Sequence, residues 1–304
     1  MNLRFFEKAY FDRVELSNVK KFLRPNGTSM ILPYDQFVEH DNRHIHPNPK
    51  SGNPEYIMEM AIKGGFNAVA VHYGVAKRFW TKYKKQMPLI LKINGKSSIP
   101  SQSSPLSVHT SYVEDAYKMG AVGIGYTMYY GSPAQDRDLP QLAKVRQECE
   151  EYGLPLIIWA YPRGEGIDKK GGAAASYALE SAARMAMEMG ATIIKSNMPT
   201  ALAPEDLENE NIPEYFRQVE KELLALSPYE QKLERTRRVV EAAQGVPVLF
   251  SGGSEKHDEE VIENAKICVK AGCFGFIYGR NMWKREMDDA VEMSKKLIDI
   301  LDKA

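Results

Sequence analysis

The chain has 304 residues, 43% of them hydrophobic, with Lys plus Arg and Asp plus Glu equal at 40 each. The length suits one (β/α)8 barrel with insertions, and the apolar share is enough for a sizeable core. A balanced charge gives no footprint for nucleic acid or an anionic membrane, so an anionic substrate has to be held by a local set of donors.

Three cysteines, Cys149, Cys268 and Cys273, form no CxxC. Their odd number argues against a disulfide framework and for a reducing, cytoplasmic setting. The N-terminus, MNLRFFEKAYFDR, carries charge throughout and does not read as a signal peptide. No run approaches the roughly 18 apolar residues of a membrane span.

In chain order, residues 1–28 form an extension expected to close the bottom of a barrel spanning 1–304 as one domain. Eight short apolar runs follow: Ser29–Asp35, Ala68–Tyr73, Pro88–Asn94, Ala121–Tyr129, Pro155–Tyr161, Thr192–Met198, Pro247–Gly253 and Gly275–Arg280. Each is expected to be a strand, and most turn polar at the C-terminal end, which is how a parallel α/β barrel builds a site. Most are entered from an amphipathic stretch ending in glycine, such as EYIMEMAIKGGF, YVEDAYKMGA and ALESAARMAMEMGA. Helical spacing followed by a C′ glycine and then a strand is a repeated α/β unit. Eight units favour a closed (β/α)8 barrel over a doubly wound sheet. Segments 36–54, 95–110, 162–175 and 199–230 fall outside the repeat. The last includes a predicted short helix near Pro213–Leu226. The last three follow strands three, five and six on the catalytic face, where long loops are usually functional.

Two lysines and an acid stand at strand ends: Asp35, Lys92 and Lys195. An ordinary lysine, with a pKa of about 10.4, is protonated at neutral pH and cannot attack a carbonyl. Apolar walls or neighbouring cations free the amine. Lys195 follows Ile193 and Ile194; Lys92 follows an apolar run and shares a face with Asn94, two residues on. Spacing does not rank the two lysines, and a salt-bridged supporting role is open to either. Trp159 and Tyr161 also share a face; turned inward, they supply an aromatic wall and a phenol able to shuttle protons. The alternative is an aromatic layer that fills the barrel.

Ser251-Gly252-Gly253 follows strand seven and Gly279-Arg280 follows strand eight. Glycine lets backbone N–H groups approach an oxyanion, arginine adds a planar cation, and these two loops are where the fold commonly holds phosphate. Tight turns without a ligand are the alternative. His40, His44 and His46, with Asp35, Glu39 and Asp41, are a conceivable metal set. They lie in a proline-rich loop, RHIHPNPK, and only His72 and His109 stand near later strand ends, so no metal is expected.

The motifs SMILPYDQFVEH, LILKIN, IIWAYPRG, IIKSNM, VLFSGGS and GRNMW occur in that order. Together they resemble the archaeal-type class I fructose-bisphosphate aldolases, over about residues 27–300. The resemblance implies a (β/α)8 barrel, no metal cofactor, a phosphorylated sugar substrate and Schiff-base chemistry, with a homo-oligomeric assembly. It places the imine-forming lysine on Lys195, the acid/base tyrosine on Tyr161, the tryptophan on Trp159 and the strand-one aspartate on Asp35. Phosphate binding falls on Ser251, Gly252, Gly253, Gly279 and Arg280. A further glutamate falls on Glu205. Phe37 stands where relatives commonly carry glycine, and its bulk would either narrow the pocket or alter the aldehyde it accepts. A related phosphosugar aldolase or thiolase, or a barrel that binds a phosphosugar without catalysis, are the competing expectations.

Overall fold

The computed structural model describes residues 2–7, 12–39, 42–253 and 257–303, with the backbone alone at His44. Of the loop histidines, His40 and the His44 side chain therefore lie outside the described residues, as does Asp41; His46 is exposed.

Eight strands close into one parallel barrel: β1 (Ser29–Tyr34), β2 (Ala68–His72), β3 (Leu89–Lys92), β4 (Gly123–Tyr130), β5 (Leu156–Pro162), β6 (Ile193–Asn197), β7 (Val248–Ser251) and β8 (Gly275–Ile277). They follow one another around the ring, and β8 closes on β1 through Ser29 opposite Gly275 and Ile31 opposite Ile277. Every strand is buried on both faces, which is why the runs are continuously apolar instead of alternating. Met30, Val69, Leu91, Ile158, Ile194 and Phe250 point outward beneath the helices. Ile31, Ala70, Ile90, Ile157, Ile193 and Leu249 point inward and fill the barrel.

The N-terminal segment supplies the lower end of that interior. Helix Arg13–Lys20 starts at Asp12, whose carboxylate caps the Val14 N–H. It carries Val19 to the interior cluster, where Phe6, Phe22 and Leu23 join it. Phe6 and Phe22 each meet less than a tenth of the solvent they could, and burying a phenyl group of this kind stabilises by about 1.5–3 kcal/mol.

The third strand is shorter than its apolar run. The chain leaves the barrel after Lys92, and Asn94–Gly95 pairs antiparallel with Val108–His109. The Asn94 side chain makes the departure possible. Its Oδ1 accepts from the Thr127 backbone N–H at 2.7 Å and its Nδ2 donates to the Thr127 carbonyl at 2.9 Å, replacing the ladder bonds the main chain no longer makes to β4. The 199–230 excursion contains helix Glu214–Leu223, close to its expected place. It is fastened to helix Pro228–Ala242 by a buried ion pair, Glu220 to Arg235 at 2.8 Å.

All three cysteines are free and buried. Helix Ser176–Glu188, with its alanines and methionines, turns Leu179, Ala182, Ala183 and Ala186 into the protein's own core.

Candidate active site

A cavity of about 390 Å³ opens at the C-terminal ends of the strands. It receives Asp35 from the end of β1, Trp159 and Tyr161 from β5, Lys195 and Asn197 from β6, Ser251, Gly252 and Gly253 from β7, and Gly279 and Arg280 after β8. Side-chain alternation sets this. Ile193 faces the interior, so Lys195 faces it one layer higher; Ile157 does the same for Trp159 and Tyr161. Ile194, which the sequence offered as a wall for the lysine, faces outward instead.

The wall of Lys195 is aromatic. Its Nζ lies 4.7 Å from the centre of the Trp159 ring and 5.5 Å from that of Tyr161. The side chain is 5% exposed. Among the described residues no hydrogen-bond acceptor or ion-pair partner reaches this nitrogen. Lys92 is the opposite case. It is fully buried, and its Nζ donates to Glu39 Oε1 at 2.7 Å, to Asn94 Oδ1 at 3.0 Å and to the Asn94 carbonyl. Its three N–H donors are thus all engaged, and Lys92 is absent from the cavity lining.

Trp159 is set in place by a missing side chain. A Cβ on Gly125 of β4 would stand 2.6 Å from the indole Cη2 and 3.2 Å from the Lys92 Cδ. The glycine leaves the space into which the tryptophan slides, between the two lysines.

Asp35 lies just past β1. Burial is the largest single influence on its carboxyl and would raise the pKa. The charges of Lys195 and Lys92, then His72 and the residue's own backbone, together outweigh it, and the carboxyl ends below its usual range. It is therefore an ionised base at neutral pH. Burial first, and then the charge of Lys92, push His72 down to about 4, so its imidazole is neutral there.

At the β7–β8 side, Ser251 Oγ donates to Asn197 Oδ1, and Asn281 Nδ2 holds the Gly252 carbonyl at 3.1 Å. Both fix the Ser-Gly-Gly turn. Arg280 has no carboxylate or hydrogen-bond acceptor among the described residues and lines the cavity as an available cation. Lys96, beyond β3, and Arg163, beyond β5, line the same cavity. The Arg163 guanidinium lies 5.2 Å from the Tyr161 ring centre. Burial, partly offset by Glu39, lowers the Lys96 pKa, with Arg163 adding to the fall.

Two expected contributors lie elsewhere. Glu205 is exposed on the turn Pro204–Glu208 and does not line the cavity. Phe37 packs edge-on against Tyr34, ring centres 5.2 Å apart, and leaves the cavity width to others. Among the described residues no group of three or more His, Cys, Asp or Glu side chains is placed to hold a metal ion. Several lining residues escaped sequence reasoning, and two had a signal. Lys96 stands two residues past Asn94, and Arg163 continues the two-residue step of Trp159 and Tyr161 beyond the end of β5. Glu39 was grouped with the loop histidines, whereas its carboxylate belongs to Lys92.

An amine left unpaired near an ionised carboxylate, at the mouth of a closed parallel barrel, places the protein among the barrel aldolases. Comparison gives the family: the chain belongs to the DeoC/LacD family aldolases, whose model matches residues 29–285. A fructose-bisphosphate aldolase class 1 of Thermoproteus tenax is 32% identical over 286 residues, covering 93% of this chain and 94% of that one. An archaeal fructose 1,6-bisphosphate aldolase of known structure superposes with a TM-score of 0.79 at 30% identity, covering 96% of this chain and 100% of that chain. Another, solved with its catalytic lysine covalently bound to the carbinolamine intermediate of the substrate, superposes with a TM-score of 0.77 at 29% identity, covering 95% and 99%.

Proposed function

We propose that the protein is a class I fructose-1,6-bisphosphate aldolase, cleaving its substrate reversibly to dihydroxyacetone phosphate and glyceraldehyde 3-phosphate through an imine on Lys195. The observation that carries this is the unpaired Lys195 amine on the Trp159 face, set between two cationic ends of one cavity. A bisphosphate needs both ends. Arg280 with the Gly252, Gly253 and Gly279 backbone takes the phosphate nearest the ketone; Lys96 and Arg163 take the other.

In this scheme the Lys195 amine adds to the C2 ketone. Loss of water, with protons moved by Tyr161, leaves an iminium ion. Asp35 takes the C4 hydroxyl proton. The C3–C4 electron pair flows to the iminium, and glyceraldehyde 3-phosphate leaves. Tyr161 protonates the enamine at C3, and hydrolysis frees dihydroxyacetone phosphate and restores the amine. Trp159 holds the carbon chain against the reacting nitrogen. The electron sink is the imine itself, so no metal cofactor takes part. Binding of both phosphates orients the reacting carbons.

Self-association belongs to the same proposal and is supported by exposed aromatic and aliphatic side chains, among them Tyr117, Tyr215 and Leu224. A reducing, cytoplasmic setting is supported by the three free thiols; no helix among the described residues is long and apolar enough to cross a membrane.

The test is borohydride reduction in the presence of dihydroxyacetone phosphate, followed by peptide mass spectrometry. A reduced adduct on Lys195 is expected. An adduct on Lys92 would overturn the site, and none at all in folded protein would overturn the mechanism.

A further inference from the structure

Among the described residues, three side chains in the cavity wall carry a buried polar atom with no hydrogen-bond partner: Trp159 Nε1, Trp283 Nε1 and Gln36 Nε2. Buried donors in folded proteins are nearly always satisfied, so several orphans in one cavity mark a place that a ligand completes. Trp159 belongs to the wall beneath Lys195. The other two have no part in the scheme above.

Trp283 is 1% exposed and Gln36 6% exposed. Trp283 is held edge-on to Tyr34, ring centres 6.2 Å apart, which fixes its indole. The N–H lies at the seam between β8 and β1. A Cβ on Gly279 would stand 3.1 Å from Trp283 Nε1 and 3.2 Å from the Pro33 carbonyl oxygen. Gly279 therefore passes close against the indole N–H, with no room for a side chain between them, and Arg280 is the next residue. Gln36 reaches the same cavity from the β1 side, directly after Asp35. An indole N–H can only donate, which selects a ligand group rich in acceptors.

We propose that Trp283 and Gln36 complete the phosphate subsite, donating to the phosphate oxygen turned toward β1, which the β7 loop and Arg280 approach from the other side. This rests on the aldolase reading for the identity of the phosphate ester. A phosphate monoester presents three strongly accepting oxygens, and the β7–β8 loops alone approach it from one side. Donors from the β1 seam enclose it. A hydroxymethyl group in the same place offers one oxygen and leaves donors unpaired. The pair thus selects a phosphorylated ketone over its free-alcohol counterpart.

The experiment compares the wild type with Gln36→Met, Trp283→Phe and Arg280→Met in the full-length protein. Borohydride trapping on Lys195 is titrated with dihydroxyacetone phosphate and with dihydroxyacetone, and the ratio of half-saturating concentrations is taken. A hydrogen bond to a charged group predicts that this ratio moves toward unity by about tenfold in each seam variant. An unchanged ratio in Gln36→Met and Trp283→Phe, with a shifted ratio in Arg280→Met, overturns the proposal. Inorganic phosphate gives a second readout that needs no chemistry. Its stabilisation of the wild type against heat should shrink in both seam variants, each compared with its own phosphate-free melting temperature. Undiminished stabilisation overturns the proposal. A wild type that traps neither ketone would sink the aldolase reading alone, because the phosphate measurement still decides whether the seam donors bind an anion.

Discussion

The amino groups of Lys195 and Lys92 face one indole, 4.7 Å and 5.8 Å from the centre of the Trp159 ring. Among the described residues Lys195 meets no polar partner, whereas Lys92 is clamped by Glu39 and Asn94. The two should therefore fail differently. Lys195→Met should remove the reduced adduct and cleavage activity, by a factor on the order of 1,000 or more, with a small effect on folding. Lys92→Met should leave Glu39, a half-buried carboxylate at the cavity wall, without its cation, costing about 1–3 kcal/mol of stability. What folds should still form its adduct on Lys195. Denaturant unfolding of both variants, with mass spectrometry after borohydride, separates the cases. An active Lys195→Met enzyme would refute the assignment.

Gly125 offers a test that leaves every functional group in place. An added methyl would sit 2.6 Å from the Trp159 ring, so the indole has to shift and the face under Lys195 shifts with it. Gly125→Ala should cost about 1–3 kcal/mol, as overpacking of a filled interior does. Turnover should fall by more than the loss of folded protein accounts for. Activity per folded molecule equal to the wild type would show that the position of Trp159 is unimportant.

Stability should fall in acid through two separate windows. His72 is pushed down to about 4, mainly by burial; in the unfolded chain its pKa is about 6.5. The unfolded state thus binds the proton more tightly. The contribution is complete above about pH 6.5 and drains away as the pH falls to about 4, amounting to about 3 kcal/mol. Asp35 is likewise depressed. Its contribution is present above the unfolded value of about 3.9 and is lost only at lower pH, as its folded value is crossed. His72→Gln should flatten the slope of urea midpoint against pH between 6.5 and 4.5. An unaltered slope would show that another group carries it.

All eight strands and their order were legible because a barrel strand, buried on both faces, is a continuous apolar run, and the residue period of two said which side chains share a face but not which face turns inward. Lys195, Tyr161, Trp159 and Asp35 could be placed at the mouth for the same reason. The choice between Lys195 and Lys92 was not legible from spacing. It depends on a carboxylate, Glu39, which is 53 residues from Lys92 in sequence, and on Asn94 turning its side chain into the β4 ladder. Glu205 lies away from the cavity because the segment after β6 falls outside the repeat, where no periodicity says which way a side chain points; the same holds for Phe37 after β1, whose effect on the pocket the sequence left open. Gly125 looked like an ordinary strand residue, since only the ring of Trp159 gives its missing side chain a purpose.

The far wall of the cavity gives the last test. Lys96 and Arg163 are proposed to hold the phosphate distant from the ketone; Lys96 follows β3, which stands across the ring from β7, and Arg163 follows β5, two strands from β7. A charge-assisted hydrogen bond is worth about 1.5–3 kcal/mol, or roughly 10- to 100-fold in binding. Arg163→Met should raise KM for fructose 1,6-bisphosphate by about that factor. It should leave fructose 1-phosphate, which lacks the distant phosphate, much less affected. Arg280→Met should weaken both substrates alike, since both carry the phosphate next to the ketone. Steady-state kinetics on the two sugars is sufficient. Equal losses on both sugars in Arg163→Met would mean that the residue acts through Tyr161, whose ring it covers, and not through a phosphate.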